Sequence, residues 1–292
     1  MTLPKRSKFG NFLRQILRKF FITLSVIVEP LRALLRRNAL RHASFASPAD
    51  DPFLSQLPAT LLLMVYRAKN VELVQLLVRQ VGADADVRLW ALDEIAPELA
   101  DKTIGSGPGT RFANINRLYH AKPIKEGSWV VLADDDTFFI KGSLAETIDI
   151  MKRAAFSLAQ PSHSVFGWWT SIFNVSRPLL IARDTNYVEQ GPLLIADWMF
   201  SKEILPFPDD NDMGWGIEAE WYQAKVGRFR SGVIDACRVV HCSRNARTYL
   251  AAPEMQRMEE RLSKLGIANF WQLQTVNGYW WKWQRSPSWR EL

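Results

Sequence analysis

Residues 129–136 read WVVLADDD, an apolar run that passes directly into three consecutive carboxylates. Adjacent aspartates repel one another, so a fold tolerates them at low cost only in water or around a cation. A buried parallel strand delivers its last residues to the end of the sheet where open α/β proteins bind ligands. In an extended backbone Asp134 and Asp136 project to one side and Asp135 to the other. An Asp-x-Asp pair so placed is a candidate for holding a hard divalent ion through one carboxylate and a sugar hydroxyl through the other. The competing reading is a solvated turn with helix-capping aspartates, and the apolar strand in front argues against it.

The chain on either side supports an α/β reading. Thr60 to Tyr66 (TLLLMVY) predicts a buried strand, Val71 to Val81 an amphipathic helix, and Val87 to Leu92 a second strand. Strand–helix–strand order implies a right-handed βαβ unit and a mainly parallel sheet flanked by helices. A loop with Gly105, Gly107 and Gly109 and a helix from about Arg111 to His120 then lead to the strand that carries the aspartates. With 292 residues, 48% apolar and 23% charged, the chain has ample material for a core. The predicted division is an N-terminal helical extension over 1–45, a linker over 46–58, the α/β domain over 59–250 and an aromatic tail over 251–292. The tail holds Trp271, Trp280, Trp281, Trp283 and Trp289, for which a lid, an acceptor platform and a membrane-interface belt all stay open. Cys237 and Cys242 lie too close to bridge without a tight turn, which favours a reducing compartment.

The net charge of +7 is unevenly spread. Residues 1–42 hold ten Lys or Arg and one acid, Glu29, leaving 27 bases and 29 acids for the rest. Apolar residues from Phe9 to Val28 recur at helical spacing with Arg14 and Arg18 off their face. The apolar run from Phe20 to Val28 is far short of the roughly 20 residues that cross a bilayer, and Glu29-Pro30-Leu31-Arg32 makes a poor signal-peptide cleavage site. The expectation is a helix lying on an anionic membrane through residues 1–42, at the inner face on the cytoplasmic side. A basic helix packed on the domain is the alternative. Nucleic acid is not expected as a partner, because no reader motif accompanies the charge.

Three blocks in order resemble the galactosyltransferase-like branch of the GT-A glycosyltransferases. The first is Arg111–Tyr119 (RFANINRLY) followed by the DDD strand. The second is Met213–Trp221 (MGWGIEAEW), similar to the family's Trp-Gly-Gly-Glu-Asp element. The third is Val239–Arg244 (VVHCSR), similar to its strand ending in His-Ser-Arg. The resemblance spans about residues 60–245. It implies a GT-A fold, a nucleoside-diphosphate sugar as donor, with UDP-sugar favoured, and Mn2+ or Mg2+ as the ion. It further implies that Asp136 and His241 ligate the metal, while Asp134 and Asp135 hold the nucleotide sugar. Trp215, Glu189 and Gly191 fall at donor or acceptor positions. Arg111 and Arg117 are candidates for phosphate pairing, since guanidinium matches phosphate oxygens bidentately. Trp168, Trp169 and Trp198 are further candidates for a sugar site. Zinc is not expected, because four closed ligands at zinc-site spacing are absent.

The sequence departs from the family in an important place: Ala219 stands where the branch carries its catalytic Asp. Glu218 is the expected base, with Glu220 and Asp212 as alternatives, and a base opposite the leaving group implies inversion. The acceptor expected is a surface glycan or glycolipid. A non-catalytic carbohydrate- or nucleotide-binding scaffold is the rival reading, and Ala219 is its support. A nucleotidyltransferase or phosphohydrolase is disfavoured, because the first strand–helix turn, Arg67-Ala68-Lys69-Asn70, contains no glycine.

Overall fold

The computed structural model describes residues 29–45, 51–209, 213–243 and 251–289. Ten strands form one sheet: β1 (Thr60–Tyr66), β2 (Asp86–Ala91), β3 (Thr103–Ser106), β4 (Trp129–Asp134), β5 (Thr137–Lys141), β6 (Phe156–His163), β7 (Leu180–Thr185), β8 (Leu193–Ala196), β9 (Arg230–His241) and β10 (Val276–Trp281). Their order is β10-β7-β9-β6-β8-β4-β1-β2-β3, with β5 pairing β9 off this path. The run β4-β1-β2-β3 is parallel, as the βαβ pattern implies. Beyond it β8 enters antiparallel between β4 and β6, and the second half is mixed.

All seven residues of β1 are buried, because both faces of the sheet are covered. Helices α2 (Val71–Gln80) and α4 (Leu144–Ala154) pack on one face, burying Val74, Leu77, Ile148 and Met151 with Leu62 and Met64. On the other face lie α3 (Arg111–His120), α5 (Trp198–Ile204) and α6 (Ile217–Lys225), with Phe112, Ile115, Phe200 and Trp221 against Leu61 and Leu63. Thr110 caps α3 by accepting from the Ala113 amide, and Ser143 does the same for α4 through Glu146. Helix α7 (Ala251–Lys264) packs on α6.

The predicted N-terminal helix lies outside the described residues up to residue 28. What is described is α1 (Glu29–Phe45), whose Ala39 and Leu40 pack on Leu76, Phe138 and Val240. The guanidinium of Arg36 donates to the Phe166 carbonyl at 2.9 Å, so this part of the basic segment docks on the domain. Among the described residues no helix is long and apolar enough to cross a membrane. The linker region contains a short 3-10 turn at Leu54–Gln56. The aromatic tail is the sheet's edge: β10 pairs β7, Trp280 is buried in the core, and the Trp289 indole donates to the Ala154 carbonyl. Both cysteines are free.

Candidate active site

The first of the three aspartates closes β4, and the next two form the turn into β5. This turn reverses the chain so that β5 runs antiparallel to the end of β9, with Thr137 opposite His241. That register carries an imidazole from about a hundred residues away to the Asp136 carboxylate. His241 Nε2 lies 3.1 Å from Asp136 Oδ1 and 3.9 Å from Asp134 Oδ2. The ligating atoms of Asp134, Asp136 and His241 all fall within 4.8 Å of one another. Neighbouring ligands of an octahedral ion at about 2.1 Å stand about 3 Å apart. The His241–Asp136 pair already has that spacing, and Asp134 stands somewhat farther off, at 3.9 Å from His241. Two carboxylates and an imidazole are a donor set suited to Mn2+ as well as to Mg2+.

The rest of the group is held in place by backbone. Asp136 Oδ2 accepts from the Ser243 amide at 2.9 Å, and its carbonyl accepts from the Cys242 amide. Burial disfavours charge on Asp136, but the His241 hydrogen bond and charge and the Ser243 donors outweigh it and hold the carboxyl below its usual range. Burial likewise acts against protonation of His241. The hydrogen bond to Asp136, with the charges of Asp136, Asp134 and Glu189, lifts its imidazole to about 9. The carboxylates thus draw positive charge to this point. Asp135 points the other way, as strand alternation predicts: its Oδ2 accepts from the Arg67 amide at 2.8 Å, at the end of β1. Burial, with repulsion from Asp136 and Asp134, pushes it up to about 6.

Arg111, first residue of α3, reaches Asp134 with Nε–Oδ1 at 2.8 Å, and its terminal nitrogens donate to the Gln190 carbonyl and Gln190 Oε1. The Asp134 amide donates to the Pro192 carbonyl at 2.8 Å, and a Cβ on Gly191 would stand 3.1 Å from Asp134 Oδ2. Segment 189–192 therefore lies directly against the carboxylates. Glu189 accepts from Asn174 at 2.7 Å, and buried His163 is 4.0 Å away. Burial raises Glu189 despite the hydrogen bonds from Thr170 and Asn174. Arg117 is elsewhere: it donates to Asn114 and lies over the Trp90 ring, 5.0 Å from the centroid.

The Gly-containing turn before α6 docks on the same segment. Gln190 Nε2 donates to the Met213 carbonyl, and Gly214 (φ +79°) sits so close to Phe112 and Gln190 that any side chain would collide with both. Glu218 follows in the first turn of α6. The Gln190 amide donates to its Oε1 at 3.4 Å, and its Oε2 is buried with no hydrogen-bond partner. Burial, with repulsion from Glu189, pushes Glu218 up to about 8. Glu220 is tied to Arg261, which also donates to the Trp215 carbonyl. Asp212 lies outside the described residues. Trp168 joins the site through its amide, which donates to the His241 carbonyl at 2.9 Å. Trp198 opens α5 with Lys202 against its ring. Gln190, Asn174 and His163 are the members that motif reading missed, while Ser243 stood inside the third block without a role assigned to it. Of the three, only Gln190, adjacent to Gly191, had any signal.

No family model matches the chain, and no curated protein matches it. Solved structures do. A crystal structure of GalNAc-T7 with UDP, GalNAc and Mn2+ superposes with a TM-score of 0.51 at 10% identity, covering 72% of this chain and 49% of that one. Residues 1–349 of TarS from S. aureus in complex with UDP-GlcNAc give 0.49 at 12% identity, covering 71% and 65%. The same TarS segment with UDP gives 0.41 at 14%, covering 70% and 71%. The chain spans about half the length of the GalNAc-T7 structure it matches. The architecture is that of the GT-A fold.

Proposed function

We propose that this chain is a metal-dependent glycosyltransferase that moves a sugar from a nucleoside-diphosphate donor, a UDP-sugar first among them, to an acceptor hydroxyl. The observation that carries the reading is the convergence of Asp134, Asp136 and His241 at the end of β4. The GT-A fold supports it, and so does the binding of UDP, GalNAc and Mn2+ by GalNAc-T7. In this reading Asp136 and His241, with Asp134 beside them, would hold Mn2+ or Mg2+, and Asp134 would also face the donor. When bound, the cation neutralises charge gathering on the diphosphate as its bond to the sugar breaks. Arg111 adds a fixed guanidinium beside those oxygens, and Asp135 holds the Arg67 turn that forms the floor for the nucleoside. Gly191 leaves room for the sugar, whose hydroxyls face Glu189.

Glu218 takes the acceptor proton. Its burial keeps it protonated near neutral pH, so it acts as a base once the acceptor has approached and the pH is high enough to ionise it. A single displacement, with the base opposite the diphosphate, inverts the anomeric carbon. The acceptor is a glycan or glycolipid, and residues 1–42 bring the enzyme to an anionic membrane at its inner face.

The test is a nucleotide-sugar panel with and without Mn2+, read as transfer or slow donor hydrolysis. Turnover of at least one donor that needs the cation and is lost in Asp136→Ala is expected. Metal-dependent nucleotide binding without turnover of any donor would favour the scaffold reading that Ala219 invites.

A further inference from the structure

Three stretches of this chain, residues 30–49, 164–183 and 261–290, contain none of its 30 Asp and Glu and hold eleven Lys or Arg, two of which pair with acids of other segments, Arg183 with Asp235 and Arg261 with Glu220. Together they make up 70 residues, nearly a quarter of the protein. The fold brings parts of all three to one end. Arg36 of α1 donates to the Phe166 carbonyl. The Ser171 hydroxyl donates to Gln274 at 3.0 Å, and the Lys282 amide donates to the Leu179 carbonyl at 3.1 Å. Arg177 lies over the Tyr279 ring. The loop 164–179 is therefore fastened to α1 at one end and to the end of β10 at the other. Between these anchors Trp168 touches the His241 backbone.

These segments also expose apolar side chains. Val165, Ile172 and Leu179 of the loop, Leu31 and Leu34 of α1, and Trp283 are each more than half exposed. Trp283 stacks on Trp281, with centroids 4.8 Å apart and planes at 19°, and Trp281 is in turn 5.7 Å from Tyr279. Trp280, between them on β10, goes into the core instead. The column Tyr279–Trp281–Trp283 climbs toward the same end of the sheet as His241. Trp281 pairs Leu180, and Ala182 pairs Ile234. Ordinary strand rise and spacing then put the top of the column roughly 20 Å from His241.

We infer that loop 164–179, the exposed side of α1 and the Trp281–Trp283 column form a membrane-docking face, with the mouth of the candidate active site beside it. Charge and shape name the partner. Exposed aliphatic side chains and aromatic rings, with the exposed bases Arg37, Lys282 and Arg285 on the same segments, match the boundary of an anionic bilayer, where Trp and Tyr sit at headgroup level and bases meet lipid phosphates. A neutral glycan does not call for bases beside these apolar side chains. The inference rests on the transferase reading only in its corollary, that the acceptor is carried by a lipid and reaches Glu218 from the membrane.

The test uses the full chain and vesicles of phosphatidylcholine, with and without phosphatidylglycerol, in a co-sedimentation assay. Wild type is expected to bind the anionic vesicles and to leave them at high salt. The triple variant Ile172→Ser/Leu179→Ser/Trp283→Ser is expected to bind at least about tenfold more weakly with an unchanged unfolding temperature. A second variant, Leu179→Trp, should show fluorescence quenching by brominated lipid. Equal binding by wild type and triple variant, with no quenching, overturns the inference and leaves any docking to other residues. So does a wild type that ignores the vesicles but self-associates or retains a soluble oligosaccharide through these side chains. Mn2+-dependent UDP binding, measured on the same proteins, tests the transferase reading separately.

Discussion

At the scale of single residues, the site is built on carboxylates whose surroundings differ. Glu218 has its carboxyl pushed up to about 8 by burial. As a base it must be ionised, so turnover should rise with pH through about 8 and level off above it. Glu218→Gln should lower turnover by about 10²–10⁴-fold and abolish that rise. The same shift bears on stability. The folded state holds a proton on Glu218 that the unfolded chain releases at ordinary carboxyl pH, so the stability is present in full at low pH and is lost as pH rises through about 8. Unfolding temperatures measured from pH 6 to pH 9 should therefore fall less for Glu218→Gln than for wild type. An identical fall in both proteins would mean that Glu218 does not titrate as its burial demands. The opposed directions of Asp134/Asp136 and Asp135 were readable from strand alternation alone. The burial of Glu218 was not, because it depends on how the turn at Gly214 seats α6 on the segment 188–190.

At the scale of elements, the turn around Gly214 links the proposed base to the cation group. Its φ of +79° suits glycine, and a Cβ there would meet Phe112 and Gln190. Gly214→Ala should cost about 1–3 kcal/mol in denaturant unfolding. It should also weaken donor binding, because Gln190 holds Arg111 and Arg111 holds Asp134. Unchanged donor affinity would sever that chain of contacts. Much of the first half of the sheet was legible: TLLLMVY and VRLWA stand out as strands, and the helix between them shows its period. The pairing of β5 with β9 was not, since TFFIK is short and its partner lies a hundred residues away. His241 was accordingly found through resemblance and not through periodicity. The tail was also opaque, because a cluster of tryptophans does not reveal that Trp280 and Trp289 enter the core while Trp281 and Trp283 stay outside.

At the scale of the whole molecule, β7 and β9 are locked by a buried ion pair, Arg183 Nε to Asp235 Oδ2 at 2.7 Å, with neither side chain exposed. Arg183 also donates to the Phe173 carbonyl and Asp235 accepts from the Arg177 amide, so the pair anchors the loop above the site. Asp235→Ala strands a guanidinium in the interior and should cost about 3–5 kcal/mol, read from the denaturation midpoint. A loss under about 1 kcal/mol would show that the pair is better hydrated than its burial implies. Everything proposed for the active site depends on a cation at the end of β4. The most direct measurement is a calorimetric titration of Mn2+ into wild type, Asp136→Ala and His241→Ala, each with UDP present. One bound ion in wild type, with affinity reduced at least about tenfold in either variant, is the result expected, since even an outer-shell partner carries a loss of that size. Equal affinity in all three proteins would contradict the account.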